Sequence, residues 1–443
     1  MDVLVMVGQL MLSLSILIVL HEMGHFLPAK WFGTRVEKFY LFFDPWFSLF
    51  KKKIGETEYG IGWLPLGGYV KISGMVDESF DTQILKEEPK PWEFRSKPAW
   101  QRLVIMLGGV TMNFILGFLL YGMVLYWYGE EYLPAENAQY GIHVDSIGYE
   151  MGLRNGDKIL RVGDQPFEKF NPRVVIKEII LNNARSLTVE REGQIIDIPI
   201  DPKYADILSR FENKNIVLFQ PRVPFVASEL IKDGPAERAG IQPKDRIIGL
   251  DSFPTPFFDQ FFELVRQRKA QPVTVHVVRG ADTLHFNLTT TPEGAIGVYP
   301  FGPDYFFKTE RQEYTLAAAL PAGVRKGWTF LTDQIKAFGQ IFRGKIKASE
   351  SLGSFISIGQ MFGVTWDWER FWLMTAFLSL ILAFINLLPI PALDGGHVMF
   401  LLFEVLTGRK PSDKFLEYAT MIGFVIIIAL MVYALGLDIS RLF

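Results

Sequence analysis

The hydrophobic pattern along the chain alternates between long unbroken apolar runs and stretches with soluble-protein periodicity. Four runs, 3–20, 103–128, 371–388 and 418–437, reach the roughly 18 or more residues needed to cross a bilayer as a helix. The first has only Asp2 before it, with no basic segment and no small-residue cleavage site after it, so it is expected to be a retained helix. Between the second and third runs, the nine residues from Gly152 to Leu160 match those from Gly240 to Ile248 at an offset of 88. Both read as a turn feeding a buried strand, and an offset that long suits a duplicated small domain rather than a solenoid. Further on, Leu316, Leu320, Val324, Trp328, Leu331, Ile335, Phe338 and Phe342 recur every three or four positions. That stripe predicts a helix lying in the outer membrane surface or packed on the duplicated domains. Residues 56–73 predict strand, turn and strand, rich in aromatics and glycine.

Charge gives these runs a direction. Lys30, Arg35, Lys38, Arg95, Lys97 and Arg102 flank the first loop, and Arg409, Lys410 and Lys414 fill the turn between the last two runs. By the positive-inside rule residues 28–100 and 405–415 are cytoplasmic, and both termini and the long segment 129–368 lie outside. The chain has 443 residues, 49% hydrophobic and 21% charged, a mixture of apolar spans and water-soluble domains. A net charge of −3 gives no basic excess of the kind nucleic-acid binders carry. With no cysteine, neither a disulfide framework nor a thiolate metal site is possible, and any metal must be held by nitrogen or oxygen.

Chemistry concentrates where the first run ends. His21-Glu22-Met23-Gly24-His25 puts two imidazoles at i and i+4 on one helix face, able to share an ion while Glu22 reaches its bound water. This composition would produce such a match only about 0.01 times by chance. Three ionisable groups within five positions of a membrane span are costly and call for a purpose. A catalytic zinc commonly takes three protein ligands plus water. His143, His276 and His285 fall on the outer side, which leaves Asp394 or His397 in the run Asn386-Leu387-Leu388-Pro389-Ile390-Pro391-Ala392-Leu393-Asp394-Gly395-Gly396-His397. Pro389 and Pro391 must break the third helix, and an Asp in such an unwound stretch can turn inward.

The first-run His-Glu-x-x-His together with Asn-x-x-Pro-x-Pro-x-Leu-Asp-Gly in the third resembles the site-2 protease family of intramembrane zinc metalloproteases, over nearly the whole chain. The resemblance implies a multi-pass α-helical membrane protein of four transmembrane helices, with one zinc ion bound between the first and third. It also implies a membrane-associated β-hairpin region and two inserted PDZ-like domains, whose aliphatic-x-x-Gly/Lys-Asp-x-Ile-Ile signature the repeat carries. The domains are then 1–28, first helix with the metal motif; 29–98, β-region and loop; 99–129, second helix; 130–219 and 222–305, the PDZ-like pair; 306–368, an outer amphipathic helical region; 369–404, third helix with the Leu-Asp-Gly motif; and 405–443, cytoplasmic turn and fourth helix. His21, His25 and Asp394 become the zinc ligands, Glu22 the catalytic base, and Asn386 a residue that holds substrate near the metal. A sheet edge at 56–73, with Gly67 and Gly68 allowing close backbone approach, is expected to add the unwound substrate as a strand, or else to be a purely structural hairpin. Implied substrates are single-span proteins in a bacterial inner membrane, such as a trimmed anti-sigma factor and leftover signal peptides. The PDZ pair would then capture or sterically gate them, or act as a spacer. Two departures stand out: Gly353-Ser354 where relatives have Gly-Pro, and Gly108-Gly109-Val110-Thr111-Met112-Asn113 in place of Gly-Pro-x-x-Asn. Neither is expected to touch a ligand. A silent PDZ scaffold would have no need of Glu22 or Asp394, and four spans with one acid-rich site support a metal transporter only thinly.

Overall fold

A computed structural model describes residues 2–65, 67–75, 88–213, 215–351 and 353–441. By contacts the chain divides into two compact units. The first contains the membrane helices. Four helices are long and apolar enough to span a bilayer: α1 (Asp2–Trp31), α2 (Ala99–Tyr128), α5 (Trp368–Asn386) and α7 (Asp413–Ser440). Between α2 and α5 in the chain come α3 (Leu316–Phe342) and the short α4 (Phe355–Phe362); α6 (Asp394–Thr407) precedes α7.

Without water between them, membrane helices are held by close backbone packing and interhelical hydrogen bonds. α1 and α2 cross where Gly24 meets Gly108 and Gly109, and a Cβ on Gly24 would lie 2.8 Å from the Gly109 Cα. The Thr375 hydroxyl on α5 donates to Ser13 Oγ on α1 at 3.0 Å, and the Ser379 hydroxyl donates to the Asn113 carbonyl on α2 at 2.7 Å. Arg102 donates to Glu404, tying α2 to α6 at 2.5 Å. Asp438 on α7 accepts from the backbone N–H and hydroxyl of both Ser354 and Ser357, and so caps the start of α4.

One expectation needs correction here. Residues 57–64 and 69–72 are strands, but they are not a hairpin. β1 (Val36–Leu41), β2 (Phe43–Ile54), β3 (Thr57–Leu64) and β4 (Tyr69–Ile72) form a sheet in the order β2-β3-β1-β4. β1 lies between β3 and β4, parallel to the first and antiparallel to the second. The tight hairpin is β2–β3, turning at Gly55. On α3 most of the apolar stripe is exposed, and Leu331 is its buried member. Leu316, Leu320, Val324, Trp328, Ile335 and Phe342 are exposed, while Ala319, Gly323, Gly327 and Leu331 are buried. A Cβ on Gly323 would meet Gly122 of α2, and one on Gly327 would meet Phe118. Small residues let backbones approach closely, so they take the packed face.

The second unit contains the duplicated stretch. β5 (Lys158–Val162), β6 (Gln165–Pro166), β7 (Ser186–Arg191) and β8 (Gln194–Pro199) form a sheet in the order β8-β7-β5-β6. β9 (Arg246–Leu250), β10 (Phe253–Pro254), β11 (Pro272–Arg279) and β12 (Asp282–Thr289) repeat it as β12-β11-β9-β10. Each copy has its own apolar core, one including Leu153, Val189 and Phe219 and the other Phe225, Ile247 and Val275. The aspartate of the repeated motif has the same task in both. Asp157 accepts from the Arg154 backbone N–H and the Arg191 guanidinium; Asp245 accepts from the Gln242 N–H and Arg279. These bonds hold both guanidinium groups above their usual pKa. Within the second copy, Arg222 and Asp259 form a buried, bidentate ion pair.

Candidate metal centre

The site is assembled from three elements of the membrane unit. α1 continues as helix through the apolar run and the motif, so His21 and His25 project from one face. Asp394 stands at the first position of α6, where the helix dipole favours a carboxylate. It is presented by the break at 387–393, in which Ala392 sits at φ 93°, a strained value for a residue with a side chain. Gly395 and Gly396 lie directly under the Leu387 and Ile390 carbonyls, where a Cβ would come within 2.5 Å. Gly423 of α7 presses against the Pro391 carbonyl from the far side.

Three ligand atoms converge. His21 Nε2 and His25 Nε2 are 3.3 Å apart, and Asp394 Oδ2 is 3.3 Å from the first and 3.4 Å from the second. Around a tetrahedral zinc with bonds of about 2.0–2.1 Å, neighbouring ligand atoms are about 3.3–3.4 Å apart, so the triangle has the dimensions of one tetrahedral face. Asp394 Oδ2 is buried and accepts no hydrogen bond. A buried carboxylate oxygen facing two imidazole nitrogens is costly unless a cation lies among them. Among the described residues this is the one group of three or more such side chains close enough to hold a metal, and His397 is outside it.

The imidazoles are aimed from behind. The His25 Nδ1–H donates to the Ile105 carbonyl of α2 at 2.9 Å, leaving the Nε2 lone pair to face inward. His21 Nδ1 lies 3.2 Å from the Asn113 side-chain amide. Asn113 Oδ1 is buried without a donor, and a half-turn of the amide brings it onto the His21 Nδ1–H. A Cβ on Gly109 would press into both rings, coming within 2.7 Å of His21 Cε1. The run Gly108–Asn113 therefore does touch the ligands, contrary to the expectation from sequence. A small residue is needed there because α2 is the wall on which the imidazoles rest.

Glu22 lies against the segment that leads into β4. Gly68 makes that approach possible, since a Cβ there would lie 2.5 Å from Ile18 Cγ2 and 3.5 Å from Glu22 Cγ. Gly67, at φ 152°, turns the chain into β4 beside the Phe43 ring. Polar contacts brace the sheet: Tyr69 of β4 donates to Asp44 of β2 at 2.8 Å, and Tyr40 of β1 donates to Glu58 of β3 at 2.7 Å. Burial pushes the Tyr40 phenol up to about 12 and Tyr69 higher still, so both remain donors. Asn386 is the last residue of α5, half-buried, with no hydrogen bond to the ligand side chains among the described residues.

The sequence pattern of Peptidase family M50 matches residues 9–430. The chain belongs to this family. It is similar to "Protease RseP" of Yersinia pestis, 29% identical over the full length of both chains. It is 30% identical to "Regulator of sigma-E protease RseP" of Salmonella typhimurium, over 97% of each. A "Putative zinc metalloprotease" of Treponema pallidum is 27% identical, over 97% of this chain and 98% of that one. The M50 protein described here is accordingly a zinc metalloprotease of the site-2 protease type, a multi-pass inner-membrane enzyme of intramembrane proteolysis acting on membrane-protein substrates.

Proposed function

We propose that this protein hydrolyses peptide bonds within single-span membrane proteins at a centre where His21, His25 and Asp394 hold one zinc ion and Glu22 is the general base. The observation that carries the reading is the triangle of ligand atoms with its orphaned Asp394 oxygen. A zinc ion bound there would supply a Lewis acid for the scissile carbonyl and an acidified water. Glu22, beside the ligands, would accept the proton the attacking water gives up and return it to the leaving amine. A substrate helix hides its carbonyls in i→i−4 bonds and must unwind to be cut, so its freed backbone needs partners. β4 is an edge strand running past Glu22, which supports pairing of the unwound segment along it, with Gly67 and Gly68 giving clearance. Asn386 then steadies the substrate at the metal.

The basic loops support a cytoplasmic-side active centre, with both termini and the duplicated domains outside. The two repeats, read as PDZ-like domains at 130–219 and 222–305, would recognise or admit only substrates already trimmed outside. An anti-sigma factor after a first outer cleavage fits that gate, as do remnant signal peptides, and the names of the RseP relatives support the first of these. The test is cleavage of a model single-span substrate in detergent by wild type and Glu22→Gln. The Gln variant should retain zinc and lose at least a hundredfold in rate. Equal cutting by both would end the proposal.

A further inference from the structure

The second repeat contains a pair of histidines that the protease centre does not use. His276 on β11 and His285 on β12 are direct cross-strand partners, and their Nδ1 atoms are 2.6 Å apart. The rings meet edge to face, with centroids 4.7 Å apart. His276 Nε2 lies 2.5 Å from the Asp251 carbonyl, an acceptor only, so Nε2 carries the proton and Nδ1 presents a lone pair. His25 has the same arrangement in the protease centre, where a backbone carbonyl takes one ring N–H and leaves the other nitrogen free to ligate. The proton between the two Nδ1 atoms therefore belongs to His285. The neighbouring strand makes room for this ring: β9 places Gly249 opposite His276, where a Cβ would come within 3.0 Å of the imidazole. His285 is exposed on the edge strand of the sheet.

We propose that His276 and His285 form a second metal site, separate from the protease centre, that takes a borderline divalent transition ion such as zinc, nickel or copper. Imidazole nitrogens suit these ions, and two protein ligands leave the remaining positions to water. On binding, the His285 Nδ1 proton moves to its own Nε2, both Nδ1 lone pairs turn to the ion, and the total number of protons is unchanged. The rings part by about 0.7 Å to reach the separation of about 3.3 Å that two ligands of one ion require. The ion then staples β11 to the edge strand β12.

The test uses the full chain in detergent, loaded with zinc, desalted and titrated with Ni2+ by calorimetry. Wild type should take up one nickel more per chain than His285→Ala, and His276→Ala should behave like His285→Ala. The His25→Ala variant, crippled at the protease centre, should still bind nickel at the pair, which separates this proposal from the protease reading. In the Cu2+-loaded His25→Ala protein, electron paramagnetic resonance should show nitrogen couplings from two imidazoles, lost when His285→Ala is added. Equal nickel uptake by wild type and His285→Ala overturns the site, as does persistence of the two-imidazole signal in that double variant.

Discussion

Replacing Asn113 tests whether the wall behind the histidines sets the affinity of the metal centre. Asn113 is buried to 1% exposure, with its amide 3.2 Å from His21 Nδ1. Its backbone carbonyl separately accepts the Ser379 hydroxyl, a bond the substitution leaves in place. Leu has the same branched shape but offers no acceptor, so Asn113→Leu leaves the His21 Nδ1–H buried and unpaired. Orphaning a buried donor costs about 1–3 kcal/mol. Because that N–H must be protonated for Nε2 to ligate, the cost falls on the metal-bound state. At about 1.4 kcal/mol per factor of ten, the zinc dissociation constant should rise about 10- to 100-fold, in line with losses of orienting partners at other metal sites. The assay is competition with a chelator of known affinity on the full chain in detergent. Cleavage in excess zinc should recover most of its rate, which separates weak binding from misfolding. Asn113→Asp, which keeps an acceptor on the ring nitrogen, should hold zinc at least as tightly as wild type. Unchanged zinc affinity in Asn113→Leu would refute the reasoning, as would an equal loss in Asn113→Asp.

Two further substitutions probe separate links. Gly68→Val should abolish cleavage while leaving zinc content intact, because the added Cβ alone overlaps Ile18 and the Tyr40 carbonyl and must lift β4 off α1. Full activity would mean that β4 need not lie against Glu22. Arg222→Ala leaves Asp259 buried without its partner, a loss of about 3–5 kcal/mol in the second unit. That loss should appear as a lower denaturation midpoint for the repeats, whereas an unshifted midpoint would show that water replaces the guanidinium.

The parts of the site legible in sequence are those that rest on local geometry. Helical spacing places His21 and His25 on one face whatever surrounds them, and an unbroken apolar run makes the helix certain. Asp394 is different: its contact with α1 spans most of the chain, and spacing alone leaves it level with His397. The support behind the ligands was invisible for the same reason, since Gly109 and Asn113 matter only once α2 lies against α1. Likewise the motif aspartates Asp157 and Asp245 could be seen to repeat, but their partners Arg191 and Arg279 lie 34 residues further on. The sheet beside the site shows the limit for strands. Adjacent strands in sequence suggest a hairpin, and nothing local in 57–72 announces that β1, formed earlier, will occupy the place between β3 and β4.

On α3 the face that packs is the one with small residues, not the apolar stripe. Reading an apolar stripe as the buried side assumes that water is the solvent, so that Leu, Val and Trp gain by turning inward. In hydrocarbon that gain vanishes, because lipid tails are as apolar as the side chains, and what remains is the closeness of backbone contact. On α3 the packed face is the one with least side chain: Ala319, Gly323 and Gly327 against Gly122 and Phe118. The same rule governs the metal centre. Gly24, Gly108 and Gly109 bring α1 against α2, and that contact aims His25 at the Ile105 carbonyl and sets His21 beside Asn113. Within a membrane, then, the glycines mark the interfaces, and in this chain they also mark where the chemistry is held.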